Sequence, residues 1–203
     1  IRLSLVGSEM CIRDRKCFVS SSIASSNLLK DAGYDDAELN DVGGPDVYVD
    51  GADEVNTKFE AIKGGGGALT REKIIASASK KFICIVDDSK IVKKFGNFPV
   101  AVEVIPMARS YVSRQIVAMG CRPTYRIGFV TDNGNQIIDV LNLNFDVPYE
   151  TEMKLNKIPG VVENGIFSAR KADVVIVSDG ERTYELSLMH ISEPTRLRRI
   201  AFA

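Results

Sequence analysis

Between residues 50 and 72 the chain concentrates the side chains that proton chemistry needs. Asp50-Gly51-Ala52-Asp53-Glu54 comes first, and after a short polar spacer Lys63-Gly64-Gly65-Gly66-Gly67-Ala68-Leu69-Thr70-Arg71-Glu72 follows. A carboxylate can take a proton from carbon and return it, and an ammonium group can stabilise the negative charge that builds up on oxygen meanwhile. Consecutive glycines let backbone N–H groups approach an anion closely, and a helix starting just after them adds positive potential. The set suits proton transfer on a polar, anionic small molecule. Asp and Gly are also turn formers, and a glycine run is also a linker composition, so the pattern has a purely structural reading too. It is neither common nucleotide motif. Lys63 precedes the glycines where a P-loop needs it after them, and Leu69 stands where the dinucleotide fingerprint needs a third glycine.

These residues need elements to hold them. Residues 47–49, Val-Tyr-Val, read as a buried strand, which puts Asp50 at its carboxyl end, where open α/β sheets bind ligands. The spacing predicts a helix over 68–79, with Leu69, Ile75, Ala76 and Ala78 on its apolar side. The apolar run 82–86 reads as a central parallel strand ending in Asp87-Asp88-Ser89-Lys90. Upstream, 16–19 reads as a strand and 25–33 as a short helix closed by Gly33. This alternation gives an α/β class with a doubly wound, mostly parallel sheet. The pattern then changes to strand 100–105, helix 107–119, strand 124–130, a turn at Asp132-Asn133-Gly134-Asn135, strand 136–143, helix 149–157 and strand 161–167. That order fits a ferredoxin-like α+β unit inserted into the first. Residues 172–177 return as a strand of the main sheet. The expected division is 16–99 with 172–186 as the catalytic α/β unit and 100–171 as a small α+β unit serving as lid or oligomerisation surface.

Composition narrows the function further. With a net charge of −1 there is no electrostatic case for nucleic acid or an anionic membrane, and no apolar run reaches the length of a membrane span. The lone His190 argues against a histidine metal site or a Ser-His-Asp triad. Cys11, Cys17, Cys84 and Cys121 form no Cys-x-x-Cys pair and read as free thiols, suited to a reducing compartment.

The two blocks, together with Asp87-Asp88-Ser89-Lys90 and Val102-Glu103-Val104-Ile105-Pro106-Met107-Ala108, closely resemble ribose-5-phosphate isomerase of the A type over about residues 18–177. The resemblance implies a cytoplasmic isomerase of the pentose phosphate pathway. It would interconvert ribose 5-phosphate and ribulose 5-phosphate through an enediolate, without metal or cofactor, as a homodimer or homotetramer. It implies Glu72 as proton acceptor, although on residue type alone Glu72 equally suits a helix N-terminus. Lys63 would neutralise the oxyanion, with N–H groups of Gly64, Gly65 and Gly66 beside it. Asp50 and Asp53 would relay protons to sugar hydroxyls, with Gly51 and Ala52 lining the substrate between them. Lys90 resembles a further substrate-contacting lysine. Arg109 and Arg126 match no motif and read as surface or domain-interface residues. Two rival readings belong to other classes: a sugar-phosphate sensor, which needs no base, and a CoA transferase, which needs a carboxylate nucleophile. Residues 1–15 and 187–203 look like translated adapter sequence rather than part of the fold. The Gly-Thr-Gly-Ser-Thr loop with which the resembled family grips phosphate does not occur, so the resemblance implies weak turnover and poor solubility for this polypeptide.

Overall fold

The computed structural model describes residues 10–12 and 15–186. The sequence-based expectation of foreign tails falls largely on 1–9, 13–14 and 187–203, which lie outside them. A hairpin of β1 (Met10–Ile12) and β2 (Arg15–Cys17) comes first. Helix α1 (Ile23–Asp31) starts two residues before the expected 25, because the Ser22 side chain accepts the Ser25 N–H at 3.0 Å and caps it. It closes through Gly33, which takes a left-handed φ of 82°.

The main sheet is built from β3 (Val47–Asp50), β6 (Lys81–Asp87), β13 (Val174–Ser178) and β14 (Thr183–Leu186), in the order β14-β13-β6-β3. Strands β3, β6 and β13 run parallel, so Asp50, Asp87 and Ser178 end at the same sheet edge. Strand β6 is central, as its apolar run suggested, but it buries one face. Phe82, Cys84 and Val86 enter the core while Ile85 is 47% exposed, so fewer residues cover the second face than the unbroken run implied. Tyr48, Phe82 and Phe167 stack through that core with centroids 5.1 and 6.4 Å apart.

Helix α2 (Leu69–Ala78) lies between β5 (Ala61–Ile62) and β6 in sequence. It buries Leu69, Ile75 and Ala76 as expected, but Ala78 is exposed and the polar Thr70 and Lys73 are buried in its place. Both polar groups have partners in the following segment, which removes the cost of burying them. A second small sheet, β12-β5-β4-β7, adds β4 (Glu54–Asn56), β7 (Ile91–Val92) and β12 (Ile166–Phe167).

Residues 100–164 form a separate antiparallel sheet with its own apolar core of Val100, Val102, Val104, Val112, Ile116, Ile138, Val140 and Leu155. Its elements are β8 (Val100–Val104), α3 (Arg109–Ala118), β9 (Arg122–Tyr125), β10 (Gln136–Leu141), α4 (Pro148–Asn156) and β11 (Val161–Asn164), with sheet order β11-β8-β10-β9. Two expected strands are shorter than their apolar patterns. The strand read over 124–130 ends at Tyr125, and 126–135 is a loop in which Gly128 has a φ of 74° and Ile127 is 86% exposed. The strand read over 161–167 is cut at Gly165 and its halves join different sheets. Gly165 donates to Ala101 O and accepts the Lys63 N–H, both at 2.8 Å. A Cβ there would lie 2.0 Å from Lys63 O, so only glycine lets these backbones meet.

Candidate active site

Asp50 ends β3 and Lys63 follows β5, and the fold brings their side chains together. Lys63 Nζ lies 2.8 Å from Asp50 Oδ2, 3.2 Å from Glu72 Oε2 and 2.5 Å from Gly51 O. Strand periodicity puts Tyr48 on the same buried face as Asp50, and its hydroxyl donates to Asp50 Oδ2. Asp50 Oδ1 accepts the Gly51 N–H at 2.8 Å. The Phe167 ring lies 5.6 Å from Lys63 Nζ and closes the apolar side. Lys63 is thus a buried cation between two carboxylates. Burial opposes its charge, but Asp50 and Glu72 outweigh burial and raise its pKa above the usual lysine range.

Glu72 enters from the first turn of α2, whose N-cap position, Ala68, offers no side-chain acceptor. The Glu72 side chain is 15% exposed, yet its Oε2 is buried and accepts no hydrogen bond. Burial pushes its pKa up from 4.5 to about 7, Asp50 and Asp53 push the same way, and Lys63 pulls down. A buried carboxylate whose pKa is raised to about 7 beside a cation is suited to general-base work.

The remaining sequence candidates divide. Asp53 joins the glycine loop, accepting the Gly65 N–H at 2.8 Å on Oδ2. That donor is therefore taken, and Gly65 departs from the expected set of N–H groups beside the oxyanion. Gly66 is exposed, Gly64 is buried, and Ala52 packs at the edge of the main core. Lys90 lies in the turn Asp88–Lys90 after β6, and among the described residues no hydrogen bond or ion pair joins it to Asp50, Lys63 or Glu72. Glu54 of the first block is structural: it accepts the N–H groups of Gly96, Asn97 and Phe98 at 3.0–3.2 Å.

Four contributors were given no part in the site by sequence reasoning. Tyr48 was legible in principle, two residues before Asp50 on a strand. Cys84, on β6 beneath the cluster, has its thiol pKa pushed up to about 12, chiefly by burial. Arg126 has no motif, yet its Nη1 donates to Gly64 O and Gly65 O at 3.2 Å while its other nitrogens pair with Asp139. Through these bonds it buttresses the glycine loop. Phe129 covers the same loop, since a Cβ on Gly67 would lie 2.1 Å from its ring. Among the described residues no group of three or more His, Cys, Asp or Glu could hold a metal ion, and no helix is long and apolar enough to cross a membrane.

Residues 17–182 match the family model of ribose 5-phosphate isomerase A (phosphoriboisomerase A). The chain belongs to this family. Ribose-5-phosphate isomerase A of Legionella pneumophila (strain Corby) is 62% identical over 160 residues, covering 79% of this chain and 74% of the relative. That of Francisella tularensis subsp. novicida (strain U112) is 58% identical over 167 residues, covering 82% and 75%. Among solved structures, ribose 5 phosphate isomerase A from Neisseria gonorrhoeae superposes with a TM-score of 0.81 at 51% identity, over 83% of this chain and 75% of that one. A D-ribose-5-phosphate isomerase solved in complex with phospho-erythronic acid gives 0.80 at 40% identity, over 83% and 76%. The α/β class expected from the sequence agrees with these isomerase neighbours.

Proposed function

We propose that the chain interconverts ribose 5-phosphate and ribulose 5-phosphate, with Glu72 as the base that carries the proton between the two carbons. One observation carries the assignment of roles: the Glu72 carboxylate has a buried oxygen ion-paired at 3.2 Å with the ammonium of Lys63, itself paired with Asp50. Glu72 removes the proton from the carbon next to the carbonyl. An enediolate forms, and the same carboxylate returns the proton to the neighbouring carbon, so no net proton is consumed. Lys63 stays protonated throughout and stabilises the oxyanion in a site largely closed to water, where that charge counts for more than it would in solution. Asp50, held by Tyr48 and Lys63, is placed to exchange a proton with a sugar hydroxyl, and Asp53 keeps the glycine loop in register. Gly51, Ala52, Gly64, Gly65 and Gly66 line the substrate, with Lys90 reaching it from the end of β6.

The relative crystallised with phospho-erythronic acid supports this reading through chemistry. A planar carboxylate next to a hydroxylated carbon imitates an enediolate, and such a mimic binds tightly where the transition state is stabilised. No metal is assigned a part. We place the enzyme in the cytoplasm and the pentose phosphate pathway, as a homodimer or homotetramer. Residues 16–99 with 172–186 form the catalytic unit, and 100–171 a ferredoxin-like lid or oligomerisation unit. No observation favours a sensor or a CoA transferase.

The test is turnover of ribose 5-phosphate by the wild-type chain and by Glu72→Gln. The variant keeps the shape and loses the base, so kcat falls roughly 10²–10⁴-fold while phospho-erythronic acid still binds. Near-normal turnover by Glu72→Gln would place the base elsewhere.

A further inference from the structure

Glu103 is the penultimate residue of β8 and is fully buried, 0% exposed, although its neighbours there are the valines of the second core. Among the described residues it pairs with no cation. A buried carboxylate without a counter-ion is costly unless its oxygens are satisfied by donors. Here the donors are neutral and come from two segments. Thr70 Oγ1 donates to Oε2, while Thr131 Oγ1 and Asn135 Nδ2 each donate to Oε1 at 2.8 Å and Asn133 Nδ2 lies 3.1 Å from it. Arg71 reaches the same turn, with Nε 2.9 Å from Asn133 Oδ1 and Nη2 3.1 Å from Asp132 O.

Thr70 lies in the first turn of α2, two residues before Glu72. At roughly 100° per residue the two side chains leave opposite sides of the helix, Thr70 toward β8 and Glu72 toward Lys63. A carboxylate carried about 5–6 Å from a helix axis moves by about 1 Å when the helix rolls by roughly 10°. A misplacement of about 1 Å can cost on the order of 10²-fold in rate. Lys73, on the next turn, anchors α2 independently: its Nζ lies 2.9 Å from Glu152 Oε1, 2.9 Å from Glu163 Oε1 and 2.7 Å from Ile166 O. The helix therefore keeps a strong attachment when the Glu103 contacts are removed, and what those contacts add is control of its first turn.

We propose that Glu103 is a positioning residue for the isomerase reaction: through Thr70 and the 131–135 turn it fixes the roll of α2 and thereby the placement of Glu72 against Lys63. The proposal rests on Glu72 being the base. Glu72 is faced by Lys63 from the glycine loop, Asp50 and Tyr48 from β3, and Asp53 from the loop before β4, and among the described residues none of these hydrogen-bonds or ion-pairs with the side chain of Glu103 or Thr70.

The test uses the full chain with Glu103→Gln, Thr70→Val and both together. Two quantities are read: kcat and KM on ribose 5-phosphate, and the ¹³C NMR titration of the Glu72 carboxyl. Loosening the first turn admits water and relieves the burial of Glu72. Both single variants are then expected to titrate below the wild type, toward 4.5 from about 7. Their kcat should fall roughly 10–100-fold with KM changed less than about threefold, and the double variant should be no worse than the worse single one. If Glu103→Gln does not fold, Thr70→Val decides alone, since it leaves the carboxylate its other donors. The proposal is overturned if Glu72 titrates as in the wild type, or if the variants lose thermal stability while kcat per folded molecule is unchanged. If the wild-type chain does not turn over ribose 5-phosphate, the assignment of function fails, and the titration still decides whether Glu103 controls Glu72.

Discussion

Glu72→Gln should make the folded protein more stable, and only on one side of neutrality. The folded chain raises the Glu72 pKa from 4.5 to about 7, mainly by burial, so the native state holds this proton more tightly than the unfolded state does. The resulting contribution to stability is fully present below 4.5 and is lost as pH rises through about 7. Each pH unit in that interval is worth about 1.4 kcal/mol, so the ionised wild type should carry a penalty of ~3 kcal/mol above neutrality. Gln resembles the protonated form and carries no such penalty. Urea denaturation of both proteins at intervals from pH 4.5 to 9 gives the comparison. The two should coincide at the acid end, and the variant should be ahead by 1–3 kcal/mol, on the order of the full linkage value, above about pH 8. A difference that does not vary with pH would refute the reasoning, because it would mean that Glu72 ionises at the same pH in both states. A penalty of this kind fits the base proposed at Glu72, since a site kept for reaction is not optimised for stability.

Other substitutions test the site from different directions. The pH profile of kcat/KM in the wild type should lose about tenfold per pH unit below about 7 and level off above it; a limb below pH 5 would exclude Glu72 as the titrating base. Gly67→Ala should lower kcat, because Gly67 has a φ of 86° and the new Cβ would lie 2.1 Å from the Phe129 ring; adding Phe129→Ala should restore part of the loss, and no rescue would show that backbone strain alone is responsible. Lys73→Met should cost roughly 3–5 kcal/mol in denaturant unfolding, since it strands the buried Glu152 carboxylate, and Glu152→Gln should recover part of that.

Much of the candidate site could be read from local sequence because it depends on local rules. Asp50 ends a β-prone segment, the glycines precede a helical pattern, and Glu72 falls in that helix's first turn; none of this needs a distant residue. The apolar run of β6 and the return of β13 likewise identified the parallel sheet. What depended on distant residues was not legible. Nothing local says that Gly165 must pass within bonding distance of Lys63 and Ala101, so a strand over 161–167 seemed continuous where the backbone changes sheets. The apolar residues of 124–130 suggested a strand, but Gly128 turns the chain and Phe129 is used to cover Gly67. Side-chain pairing was equally hidden. Asp53 and Glu54 are adjacent carboxylates, and only the fold decides that one holds the glycine loop while the other caps the 96–98 backbone. Above all, the pKa of Glu72 is a tertiary quantity. Residue type supplies a carboxylate of ordinary acidity, and its pKa rises to about 7 only when the assembled walls exclude water and bring Asp50, Asp53 and Lys63 around it.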